Sequence, residues 1–276
     1  MENTTGISHQ NRIYTPIQIQ DVTSNSSLIV YPERGGIVTS LRLSGREVLF
    51  QGMLDDTLPF PEKNVRGGIP ILFPNTGPLS QDELDLSSYS LPQHGFARQN
   101  SWDVIVLTET SFTQKLTSMD VVNLYSYPWN GELINTVELR DNSCYFSYSI
   151  FNQGDESIPV TFGLHPYFRI PLGDKSQIEW NFNGGDIITE EYDIWSNGGT
   201  TIVDIPDSVV EVTIPGLGIL TIELSSQFQQ LMIWSLPGEN FVCIEPVMSG
   251  PGNFMSEKYR LGKNQVLSLD MRLSIR

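Results

Sequence analysis

Near the C-terminus, Leu267, Leu269, Met271, Leu273 and Ile275 alternate with Ser268, Asp270, Arg272 and Ser274. A period of two is what a half-buried strand requires, because successive side chains leave opposite faces of an extended backbone. A helix would instead bury residues three and four apart. Leu220, Ile222 and Leu224 repeat the pattern around Thr221 and Glu223. "SSLIVYPERGGIVTSLRL" reads as two strands around a Gly-Gly turn. "SWDVIVLTE", "ELINTVELRD", "CYFSYSIFN", "LMIWSL" and "FVCIEP" predict further strands, and turn signals such as "NQGDE", "PLGDK", "PGLG" and "LPGEN" separate them. No convincing amphipathic helix is found; a turn or two is expected at "SQDELDLSS". The pattern predicts an all-β chain, a large sandwich or barrel of mostly antiparallel strands.

No linker divides the chain, so its 276 residues are expected to form one domain, with about residues 1–12 a polar, flexible tail. The Pro/Gly-rich stretch from Gly52 to Pro92 is long, yet it holds "GGIPILFP", an apolar core rather than a spacer. Loops of such length in compact domains tend to be functional. Net charge is −16, with 16 basic against 32 acidic residues. That argues against nucleic acid, whose phosphates need a basic face, and against anionic membrane surfaces. An anionic ligand would need a few local arginines working against the overall field. The opening "MENTTGISHQNR" lacks the apolar core of a signal peptide, and no apolar run reaches the ~18 residues of a membrane span. A soluble, cytoplasmic protein is expected, as a monomer or weak dimer. The two cysteines, Cys144 and Cys243, sit among apolar residues without metal or redox spacing, and are expected as reduced core thiols.

Only three histidines occur. His9 lies in the polar tail and is expected to be inert. His94, in "LPQHGFAR", and His165, in "TFGLHPYFRI", are each followed four residues later by an arginine, Arg98 and Arg169. Either histidine alone reads as a hydrogen-bonded structural residue; two in such similar settings point to a site. Glu245 follows the apolar run "FVCI" and precedes Pro246. It is expected where the strand leaves the interior, stopped by the proline, partly desolvated and therefore raised in pKa toward a useful general base. Arg66, before Gly67 and Gly68, suits a fork onto hydroxyls, a carboxylate or a phosphate, or a loop salt bridge. "RGG" is no phosphate loop, no metal-ligand cluster is read from three scattered histidines, and no "GxSxG" elbow occurs. One histidine acid and one glutamate base, without cofactor or metal, suit proton shuttling at a sugar hemiacetal. The base takes the anomeric hydroxyl proton, the acid protonates the ring oxygen, and the opened ring recloses as the other anomer. Tyr167, Phe168 and Trp234 are available for the apolar face of a sugar.

"VRGGIPILFPNTG", "LPQHGFAR", "FGLHPYF" and "CIEPVMSGPGNF" together resemble the aldose 1-epimerase (galactose mutarotase-like) family, in the family's order. The likeness is closest to the branch of hexose-6-phosphate epimerases. The resemblance implies a single β-supersandwich domain and a cofactor-free isomerase acting on a small sugar or sugar phosphate. It implies Glu245 as general base, His165 as general acid, and His94 as the second site histidine. It places Arg66 and Arg98 where the sugar-phosphate branch holds phosphate. Relatives often carry Trp-Pro where this chain reads "LFPNTGPL", and some carry arginine at the position of Pro78. The family's substrate-binding aspartate stays open between Asp193 and Asp204. A non-catalytic carbohydrate-binding or sensing protein on the same scaffold is the main alternative. A glycoside hydrolase is a weaker one, since it would need two facing carboxylates.

Overall fold

In the computed structural model, residues 12–86, 91–118, 127–205 and 207–276 are described. The polar tail, with His9, falls almost wholly outside them. Four antiparallel sheets account for the strands. The largest has eight strands, in the order Glu179–Trp180, Val209–Ile214, Gly218–Leu224, Val266–Ile275, Ser143–Asn152, Gly131–Arg140, Ser111–Thr117, Asp103–Leu107. The alternation near the C-terminus becomes its central strand. Leu269, Met271, Leu273 and Ile275 are buried, each fully buried aliphatic contributing about 1.5–3 kcal/mol, while Ser268 and Asp270 face solvent. A six-stranded sheet runs Thr200–Asp204, Gln230–Trp234, Phe241–Val247, Gly163–Leu164, Ile71–Leu72, and Tyr167–Arg169 also pairs with Phe241–Val247. Side chains from both sheets share one buried cluster, including Phe146, Leu273, Phe162 and Ile244. The fold is therefore the mostly antiparallel β-sandwich that the alternation predicts.

The Gly-Gly hairpin forms as read. Ser26–Tyr31 and Ile37–Leu43 flank it, with Gly35 and Gly36 at φ of 79° and 63°. Short helices are more numerous than expected. Besides Gln81–Leu86, within "SQDELDLSS", there are Leu54–Thr57, Gly185–Glu190 and Tyr192–Trp195. None is long enough for the 3.6-residue period to show, and the last two bury little beyond Ile188 and Trp195. "GGIPILFP" is core, with Ile69, Ile71, Leu72 and Phe73 all buried. Cys144 and Cys243 are free and buried. No helix among the described residues is long and apolar enough to cross a membrane.

Candidate active site

The six-stranded sheet carries the floor of a cleft of about 190 Å³. Its middle strand, Phe241–Val247, is buried on both faces, and Cys243 and Glu245 lie on one of them. Gly163 pairs with Val247 and Tyr167 with Cys243, so the same register puts His165 opposite Glu245. On the other flank Met232 pairs with Glu245 and Trp234 with Cys243. The sheet thus holds imidazole and carboxylate as cross-strand neighbours, His165 Nε2 lying 3.3 Å from Glu245 Oε1. His165 stacks on Tyr167 at 4.8 Å between ring centroids and meets His94 edge-on at 5.5 Å.

Glu245 does not stand at a strand exit. It is 2% exposed, and the strand runs on through Pro246 to Val247. Ile244 N–H donates to Pro166 O, so the nitrogen of Pro246 faces the same side. There the partner is interrupted between Leu164 and Tyr167, so the lost donor costs little. Burial has a second result: it pushes the Glu245 carboxyl well above its usual value, against the pull of Arg98. Burial pushes the His165 imidazole well below its own, with His94, Arg98 and Arg66 adding to the effect. Both shifts favour neutral groups and oppose leaving either one singly charged. The pair is therefore suited to hold one proton between them. Glu245 Oε2 and His165 Nδ1 have no hydrogen-bond partner among the described residues.

The rim comes from two loops. His94 sits in the left-handed region at φ 68°, followed by Gly95 at 69°. Its Nδ1 meets the Thr76 carbonyl oxygen, which can only accept, so Nδ1 carries the proton and Nε2 is the acceptor. Gln93 Nε2 donates to that nitrogen at 3.2 Å. Burial, then Arg98, push the imidazole down to about 4, so His94 is neutral and presents a lone pair at neutral pH. Arg98 Nη2 donates to Gln93 O at 2.9 Å, and the Arg66 guanidinium carbon lies 5.7 Å from the Trp234 ring centre. Both guanidiniums line the cleft and remain partly exposed.

All five residues singled out in the sequence, Arg66, His94, Arg98, His165 and Glu245, line this one cleft, as do Tyr167 and Trp234. Phe168 does not: it is fully buried in the core, because it points to the other face of its strand. Asp204 lines a separate cavity of about 550 Å³ and accepts from Gln230. Asp193 is exposed on a short helix outside the cleft. Glu245 is the only carboxylate lining the cleft among the described residues. Sequence reading missed Asn64, Gln93, Thr200 and Met232. Asn64 and Gln93 are close in sequence to Arg66 and His94, but Thr200 and Met232 arrive through strand pairing that no local pattern announces.

Solved structures share this architecture. A Synechocystis sp. PCC 6803 protein, Slr1438, superposes with a TM-score of 0.83 at 24% identity, covering 98% of each chain. A galactose mutarotase-like protein from Lactobacillus casei gives 0.73 at 20% identity, covering 95% of this chain and 100% of its own. The galactose 1-epimerase from Lactobacillus acidophilus gives 0.69 at 13% identity, over 95% and 94%. The aldose 1-epimerase family profile matches residues 18–215, which contain the arginine and histidine segments of the cleft. The chain belongs to the aldose 1-epimerase family.

Proposed function

We propose that the protein is a sugar 1-epimerase that interconverts the α and β anomers of an aldohexose or hexose 6-phosphate. The observation that carries this reading is the buried His165–Glu245 pair at 3.3 Å, on the floor of a cleft of sugar size. The neutral pair first passes its proton from Glu245 to His165 across the 3.3 Å contact; the carboxylate, with Oε2 free of other partners, then accepts the proton of the anomeric hydroxyl. His165 delivers a proton to the ring oxygen, which hangs on the same carbon. The C1–O5 bond breaks, the aldehyde forms, and rotation about C1–C2 turns its other face to O5. Reclosure reverses both transfers. Burial raises the carboxyl and lowers the imidazole, so the charged pair forms only transiently and both groups return to neutral when the ring recloses. His94, neutral and with Nε2 accepting from Gln93, suits a positioning role better than the acid role. Trp234 offers a ring face to the apolar side of the sugar, while Tyr167 backs His165.

Two guanidiniums at the rim of a chain with net charge −16 favour an anionic substituent on the substrate. Replacing Arg66 or Arg98 by methionine is expected to raise KM for glucose 6-phosphate by about 10–100-fold, a charge-assisted contact being worth roughly 1.5–3 kcal/mol. KM for free glucose is expected to move by less than about threefold. Equal effects on both sugars would remove the phosphate preference and leave the reaction in place. A single carboxylate in the cleft tells against glycoside hydrolysis. NMR exchange spectroscopy on equilibrated glucose, galactose and glucose 6-phosphate tests the function. Accelerated α/β exchange for any of them supports it. Saturable binding without acceleration would point instead to a carbohydrate-binding protein on this scaffold.

A further inference from the structure

We propose that the floor of the cleft is also a site for a thiophilic divalent cation, best matched by zinc, and that the bound ion shuts off the His165–Glu245 pair. The blocking half of this proposal rests on the epimerase reading; the binding half does not. A ring nitrogen of His165, Cys243 Sγ and a Glu245 carboxylate oxygen all lie within 4.8 Å of one another, and all three residues are buried. Cys243 and Glu245 share a face of one strand, two residues apart, and His165 is the neighbour opposite Glu245. The donors are thus fixed by sheet register rather than by a loop.

Their spacing suits a tetrahedral ion. Zinc bonds of about 2.0–2.2 Å to nitrogen and oxygen imply a nitrogen-to-oxygen edge of roughly 3.4 Å. The observed distance from His165 Nε2 to Glu245 Oε1 is 3.3 Å. A bond of about 2.3 Å to sulfur puts the remaining edges near roughly 3.6 Å, so a small inward shift of Cys243 completes the set. A mixed sulfur, nitrogen and oxygen set favours zinc or cobalt over magnesium and calcium. A second indication is that Glu245 Oε2 is buried without a hydrogen-bond partner among the described residues. As the ion binds, the thiol proton and the proton shared by His165 and Glu245 both leave to solvent, and bonds from sulfur, nitrogen and oxygen to the metal form in their place.

His165 and Glu245 line the cleft, so a water or a sugar hydroxyl there would complete the shell. No acceptor among the described residues holds His165 Nδ1, so the support that usually orients a metal-bound imidazole is lacking. Two guanidiniums at the rim also repel a cation. Both features make this a reversible, inhibitory site rather than the seat of a resident metal.

Cobalt is the spectroscopic probe, used on the full chain. Wild type is expected to develop a thiolate-to-cobalt charge-transfer band that C243S and C243A both lose and that C144S keeps. Zinc is expected to suppress anomer exchange in wild type, with recovery on adding chelator, while magnesium has no effect. C243S and C243A are expected to need about 100-fold more zinc or beyond, since losing even an outer-shell partner costs about 10–100-fold. Bands in wild type without any anomer exchange would keep the metal site and overturn the epimerase reading. Exchange without bands, or bands unchanged in both Cys243 variants, would overturn the metal site and leave the epimerase reading intact.

Discussion

Glu245→Gln is expected to slow anomer exchange by about 10²–10⁴-fold, the range over which a positioned acid or base usually acts. Glutamine keeps the shape and both polar atoms of the glutamate but cannot take a proton from the anomeric hydroxyl. The loss is therefore expected in kcat, with KM changing far less. The fold is expected to survive. Glu245 is 2% exposed, and burial already disfavours its charged form, so a neutral amide there is no harder to bury. Exchange spectroscopy beside a thermal melt separates the two effects. Full activity in a folded Glu245→Gln protein would sink the proposed base. Combining Glu245→Gln with His165→Gln is expected to cost little more than the first change alone, because a proton shuttle needs both ends.

Gly95→Ala is expected to destabilise the protein by more than about 4 kcal/mol, among the largest effects of any single change. At φ 69° the backbone is in the region that alanine disfavours by about 1–2 kcal/mol. The larger part is steric: a Cβ built on Gly95 would lie 2.0 Å from the carbonyl oxygen of Phe73. That oxygen accepts from Phe96 N–H and Ala97 N–H, so the chain cannot back away without losing those bonds. A fall of about 8–16 °C in Tm follows from ~4 kcal/mol, taking the ~2–4 °C per kcal/mol of chains somewhat smaller than this one. Gly238→Ala is the control. Its φ is 76° but nothing lies within 4 Å of a Cβ there, so only the backbone penalty of about 1–2 kcal/mol is expected. Equal Tm losses in the two variants would show that the contact with Phe73 is relieved at little cost. His94 precedes Gly95, so any backbone retreat also displaces the imidazole from the rim.

The sandwich was legible because a half-buried strand writes its geometry into alternate residues, as Leu269 to Ile275 do. The Phe241–Val247 strand is buried on both faces, so its sequence carries no alternation. Glu245 there reads as a residue leaving the core, while the structure holds it inside. His165 and Glu245 were legible as unusual residues, but their adjacency depends on the register of strands 80 positions apart in the chain, which no local pattern specifies. The short helices Leu54–Thr57, Gly185–Glu190 and Tyr192–Trp195 were missed for want of length. Asp193 and Asp204 were ambiguous because an acidic side chain looks the same in sequence whether it faces a cleft or open solvent.

The division between floor and rim has a consequence for how such a chain diversifies. Glu245 and His165 face each other through the register of an antiparallel pair, a geometry that the sheet itself supplies. Arg66, His94 and Arg98 come from two segments outside the sheet's strands, tied to it through Gly68, Gly95 and Phe96. Under the proposed reading, grafting the 64–68 and 93–98 segments from a relative with another substrate, with Gly68 and Gly95 kept, is expected to exchange the sugar accepted while proton transfer persists. Selectivity would then be a replaceable part mounted on a fixed chemical bench.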